Sequence, residues 1–239
     1  MFHRVCAVQA PRPFFALLIT VALASGMLVG TGRAATCPES HASMKNQGTA
    51  TLVAAIFDST VDDPLGPYHV SFNLVQGVAS MRQPGCLCGA WVEAADAFDV
   101  TGVPAGTPVP LTVRFTVDGS IFTLGCGGSG CAGSIDTRLS CGGLVSENFI
   151  QRPVFLGSVP VHDERTIALT LTAGSPATIL YYLHGQRSVG GEHGTEATGH
   201  ITFEGLPVGI TVVSCQGYSS GAPTPARRTS WGQIKAHYR

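Results

Sequence analysis

The chain has 239 residues, 44% apolar and 12% charged, with a formal net charge of −1. That is ample for a core, too apolar for a disordered chain, and without an overall basic field for nucleic acid. Thirty glycines and fifteen prolines set many turns against little charge, which excludes a helical bundle or coiled coil and leaves a turn-rich β protein.

Residues 1–13 carry Arg4 and Arg12 and no acid, and residues 14–29 form an uncharged apolar run. Gly32-Arg33-Ala34 then offers small residues at the −3 and −1 positions of a cut after Ala34. This is the pattern of a secretory signal peptide over residues 1–34, and its apolar run is shorter than the roughly 20 residues of a spanning helix. The expected location is secreted, cell-surface or periplasmic, with no membrane span in the mature chain. Past Ala34, eleven basic residues face fifteen acidic ones. The four basic residues of the last seventeen positions (Arg227, Arg228, Lys235, Arg239) meet no acid there, so an acidic body carries a basic tail.

Seven cysteines remain after the signal: Cys37, Cys86, Cys88, Cys126, Cys131, Cys141 and Cys215. In an exported chain disulfides are their default use, and all seven are disulfide candidates. Gly127-Gly128-Ser129-Gly130 lets Cys126 and Cys131 meet, which predicts a glycine- and cysteine-rich stapled insertion over residues 125–160. The odd count leaves at least one thiol free or paired with another chain.

The body reads as short strands between turn signals. The expected strands are Thr49–Asp58, Tyr68–Gln76, Ala90–Thr101, Val109–Val117, Ser120–Leu124, Thr166–Thr172, Thr178–His184, His200–Phe203 and Gly209–Ser214. Val70, Phe72 and Leu74 alternate with His69, Ser71 and Asn73, the period-2 pattern of a strand with one wet face. Val117-Asp118-Gly119 reads as an Asp-Gly hairpin turn. Phe98–Val109 and Ile201–Val212 share a strand, a Gly-apolar-Pro-x-Gly unit and a second strand, and Ala173-Gly174-Ser175-Pro176 echoes the same turn. The apolar residue before each proline, Val103 and Leu206, is placed to plug the end of a core. The predicted fold is all-β, an antiparallel, jelly-roll-like sandwich over residues 35–218.

The strand set AADAFDVTGVPAGTPVPLTVRFTVDGS and the closing HITFEGLPVGITVVSCQGY resemble a broad group of exported bacterial β-sandwich proteins, many of which end in a PEP-CTERM sorting tail. The resemblance covers roughly residues 90–218 and implies an exported surface or matrix protein rather than a reaction. The Pro-Glu-Pro motif and membrane helix of such tails are missing from this chain.

Residues 219–228 read as a proline-rich linker and residues 229–239 as a short amphipathic helix. Ser230 and Gln233 have capping-box spacing, and Trp231, Ile234 and Tyr238 share a face, with Lys235 and Arg239 near the C-terminal end. The tail either docks on its own domain or is a handle for an export or surface-attachment partner.

Gly217-Tyr218-Ser219-Ser220-Gly221 matches G-x-S-x-G but lacks the following helix of a nucleophile elbow, so no catalytic residue is assigned. His184, His193 and His200 are the weak candidates for a metal site, since His184 and His200 would approach as hairpin partners. Asp62-Asp63 reads as a loop. No cofactor is expected. The leading expectation is a non-enzymatic structural or surface-associated protein. One alternative is a carbohydrate- or ligand-binding module using Tyr181 or Tyr182, only one of which can face outward. The other is a metal-dependent hydrolase or metalloprotein built on the three histidines.

Overall fold

The computed structural model describes residues 37–44, 49–64, 66–84, 89–125, 131–154, 157–187 and 192–220. The signal segment, Cys86, Cys88, Cys126 and the tail from Gly221, with Trp231, Ile234, Lys235, Tyr238 and Arg239, lie outside these residues. So do the side chains of Cys131 and His193.

The strands are β1 (Ser40–Met44), β2 (Ala50–Leu52), β3 (Ile56–Val61), β4 (Tyr68–Asn73), β5 (Val78–Gln83) and β6 (Ala90–Thr101). They continue as β7 (Pro108–Gly125), β8 (Cys131–Cys141), β9 (Leu144–Val154), β10 (Ser158–Thr172), β11 (Ala177–Arg187), β12 (Glu192–Glu204) and β13 (Thr211–Ser214). One sheet has the order β2-β1-β6-β11-β8-β9, with β13 also on β6; the other runs β10-β7-β12-β5-β4-β3. Strands β5 to β12 make a jelly roll, because β10-β7-β12-β5 stacks on β6-β11-β8-β9. The expected all-β sandwich is the observed fold.

Alternation supplies the core. Leu111, Val113, Phe115, Val117 and Ile121 of β7 are buried, as are Ile179, Tyr181 and Leu183 of β11. The Phe115 and Tyr181 rings meet 5.4 Å apart between the sheets. At one end Phe98, Phe203 and Tyr218 form an aromatic cluster, with Phe98 and Phe203 centroids 5.0 Å apart.

The three echoed Pro/Gly turns lie at that end, and each carries the chain from one sheet to the other: β6 to β7, β10 to β11, and β12 to β13. Gly106 N–H donates to the Ala173 carbonyl at 2.8 Å, tying two of them together. Gly102 packs directly on the Gly209 carbonyl, an approach that leaves no space for a Cβ, and its φ of 93° also favours glycine. Val103 and Leu206 pack against the core end, as their position before proline predicts. The internal echo is therefore a repeated sheet-crossing turn.

Two expectations are corrected. Asp118-Gly119 is not a hairpin, because β7 runs unbroken through it. Asp118 pairs with His162 on one side and Thr198 on the other, and Gly119 with Val161 and Ala197. The glycine is needed for close packing: a Cβ there would strike the Glu196 carbonyl and the Ala197 Cα. Nor is 125–160 an insertion, since β8 and β9 belong to the jelly roll and pair along their length from Cys131↔Val154 to Cys141↔Leu144, while the expected Cys126–Cys131 staple lies outside the described residues. Gly142 and Gly143, with φ of 54° and 87°, turn between them, both in the positive-φ region a two-residue hairpin requires. Cys141 is a buried, free thiol rather than half of a bridge, and burial pushes its pKa up.

The disulfide among the described residues joins Cys37 to Cys215, with Cα atoms 5.6 Å apart. It sits where β1 and β13 meet end to end on one edge of β6. β1 pairs with residues 90–93, β13 with residues 98–101, and Cys215 N–H donates to the Ala97 carbonyl at 2.9 Å. Ser40 Oγ fills the gap between them, accepting from Ala95 N–H at 3.0 Å.

On the β9/β10 side, Asp163 reaches into the sandwich, 6% exposed. It accepts from Thr137 Oγ1, from Asn148 Nδ2 at 2.9 Å and from Arg165 Nη2 at 2.7 Å, so a buried carboxylate is satisfied by both sheets.

Candidate ligand-binding face

Strand parity divides the adjacent tyrosines: Tyr181 is fully buried against Phe115, and Tyr182 lies on the outer face of the seven-stranded sheet. Register then places neighbours around Tyr182. Glu93, Tyr182, Arg138 and Glu147 form one row across β6, β11, β8 and β9; Trp91, His184, Asp136 and Phe149 form the next.

His184, Asp136 and Phe149 of the second row line a shallow groove of about 750 Å³, together with Tyr182, Arg138 and Gln186 among others. The Trp91 and Tyr182 rings are 6.0 Å apart, and the Tyr182 and His184 rings 5.9 Å apart. Arg138 lays its guanidinium over the Tyr182 ring at 5.3 Å and reaches Glu93 at 3.9 Å. Phe149 stands 55% exposed on edge strand β9.

His184 Nδ1 is 3.4 Å from Asp136 Oδ2, and Gln186 Nε2 donates to the same carboxylate. Burial holds the His184 pKa below its usual value against the opposing pull of Asp136, so the imidazole is neutral at pH 7. Burial and the Asp136 charge push the Tyr182 phenol up to about 12. A Cβ at Gly89 would lie 2.9 Å from His184 Nε2, so glycine there leaves room for the ring. The face therefore presents rigid aromatics with fixed hydrogen-bonding groups between them, a combination typical of small-ligand sites.

The outer face of the six-stranded sheet differs in kind. Arg114 bridges Glu164 and Glu204, Arg82 reaches Glu196 at 3.4 Å, and His162 Nδ1 lies 2.7 Å from Asp118. Its polar groups are largely paired with one another.

The expected histidine cluster does not form. His184 lies on β11 of one sheet and His200 on β12 of the other, because the connection between them crosses the sandwich instead of making a hairpin. Their side chains face opposite outer surfaces, since Leu183 and Ile201, one position away on each strand, both point into the core. Among the described residues no group of three potential metal ligands comes together. Ser219 sits in the turn that folds back on β13, bridged to Val213, while Ser220 Oγ accepts from Val212 N–H at 2.8 Å. That is not a strand-to-helix elbow.

Sequence reasoning missed one core group. Asp96, fully buried, points inward from β6, where Oδ1 accepts from Ala97 N–H at 2.8 Å and Gln216 N–H at 3.2 Å. Asp96 Oδ2 and Tyr181 Oη are both buried without a partner. Desolvation raises the Asp96 pKa, partly offset by its hydrogen bonds to Ser214, Ala97 and Gln216. A raised folded pKa means that stability from this group is greatest at low pH and is lost as pH rises through that pKa. Asp96→Asn keeps the acceptor at Oδ1 and removes the titration. The expected outcome is a melting temperature that improves relative to the native chain between pH 4 and pH 7, read by parallel thermal melts. An unchanged difference across that range would refute it.

No protein-family profile and no curated protein matches the chain. Solved structures with some likeness include the module TmCBM61 in complex with beta-1,4-galactotriose, 10% identical, covering 69% of this chain and 88% of that one, with a TM-score of 0.29. A CBM4 structure is 12% identical, covering 58% and 88%, with a TM-score of 0.22. The enzymatically active domain of Bacteriophage CBA120 tailspike protein 4 is 9% identical, covering 73% and 20%, with a TM-score of 0.18. At such scores the likeness is remote, and the fold assignment rests on the strand ladders.

Proposed function

We propose that this is an exported, non-enzymatic, surface-associated β-sandwich whose seven-stranded sheet binds carbohydrate. The supporting observation is the cluster of Trp91, Tyr182 and His184 rings, with Phe149 on the edge strand and Asp136, Arg138 and Gln186 between them. A sugar ring offers an apolar C–H face and a rim of hydroxyls, and this surface offers aromatic rings beside charged and amide hydrogen-bonding groups. Export is supported by the signal-like leader and by the Cys37–Cys215 bridge, since such bonds persist in oxidising compartments. The place of Ser219 in a turn and the separation of His184 from His200 favour binding over catalysis.

The test is a glycan array followed by titration of the best hit. Tyr182→Ala should weaken binding about tenfold, equivalent to the roughly 1.4 kcal/mol expected from a lost aromatic contact. Circular dichroism of the variant should still show a sheet spectrum. Native-like affinity in the variant, or an array with no hit, would overturn this reading.

A further inference from the structure

The groove spans β11, β8 and β9, and Trp91 on β6 lies beyond its β11 side. Trp91 and Phe149 occupy the same transverse row, on β6 and β9, with β11 and β8 between them. Three inter-strand steps separate them by about 14 Å. Between these ends Arg138 lies over one side of the Tyr182 ring, and the Trp91 and His184 rings lie 6.0 and 5.9 Å from it. Phe149 has no ring neighbour among the described residues and remains more than half exposed. A single sugar ring can stack on one end only.

Resting on the carbohydrate-binding reading above, we propose that the ligand is a linear oligosaccharide without acidic groups, laid across the strands from Trp91 to Phe149. Phe149 is its far anchor, and Asp136 and Arg138 face the intervening sugars. Charge sets the exclusion of acidic sugars. Glu93, Asp136 and Glu147 line the two rows, against Arg138, whose charge is shared with Glu93. A uronate or sulfate placed there meets more carboxylate than guanidinium. A ligand that engages both ends gains contacts with length, whereas one that recognises a terminal sugar does not.

The experiment titrates the full exported chain with cello-oligosaccharides and chito-oligosaccharides of one to six units and with oligogalacturonides of matched length. The expected result is affinity that rises at least about tenfold from monomer to tetramer in one neutral series. Phe149→Ala should abolish that rise, and Phe149→Tyr should preserve it. Oligogalacturonides should bind at least about tenfold more weakly than the neutral chains. Binding that is independent of length, insensitive to Phe149→Ala, or as tight for oligogalacturonides overturns this inference and leaves the carbohydrate reading standing. Absence of binding to every probe, together with an empty glycan array, overturns both.

Discussion

Replacing Cys37 and Cys215 together by serine is expected to lower the melting temperature by roughly 10 °C. The bridge closes a loop with a sequence separation of 178 residues, so it restricts the unfolded chain more than a short loop would. For a loop of that size the chain-entropy argument gives about 3–5 kcal/mol, and a domain of this length shifts by about 2–4 °C per kcal/mol. The loss should be local in its first effects. β1 and β13 are short, and each depends on the edge of β6 for its ladder. Hydrogen exchange should therefore accelerate at residues 40–44 and 211–214 before it does in β7. A double variant that melts with the native chain would show that the two strands hold the edge without the bridge. Reducing agent should reproduce the variant's shift in the native chain.

Gly119→Val is the second large effect, and it is expected to cost about 3 kcal/mol or to prevent folding altogether. Gly119 lies in the middle of β7, paired on both sides, where even a single Cβ would strike the backbone of β12. Relief requires parting β7 from β12, two neighbouring interior strands of the six-stranded sheet. Gly119→Ala should be milder but in the same direction, and thermal melts of the two should fall in order of side-chain volume. By contrast, Gly142→Asn substitutes a turn position with open space around it and a φ that asparagine tolerates, so its melting temperature should change by little. If Gly119→Val melted like the native chain, Asp118-Gly119 would have to be a turn after all.

That dipeptide marks where local sequence stops being informative. Asp-Gly between two β-rich runs satisfies every local criterion for a hairpin, yet the close approach of Glu196 and Ala197, nearly eighty residues away, determines its conformation. The same holds at Cys141-Gly142-Gly143-Leu144, where the true hairpin was hidden in a segment that reads as a stapled insertion. β8 and β9 carry many small and polar residues, so their alternation is faint until partners on both sides bury one face. His184 and His200 were separated for a related reason: whether two successive strands pair or cross between sheets depends on which inner faces fit together.

What the sequence determined by itself was local. Period-2 alternation assigned inner and outer faces in β4, and the same alternation required that only one of Tyr181 and Tyr182 face outward. The Gly-apolar-Pro-x-Gly units marked sharp turns, because proline fixes φ and glycine accepts positive values. The tertiary structure alone decided the strand order, the pairing of Cys37 with Cys215 and the gathering of Trp91, Tyr182 and Phe149 on one face. Those residues are spread over nearly a hundred positions, and only the register of four neighbouring strands brings them side by side. Register is set by burial of the opposite face, a long-range property that no short window of residues contains.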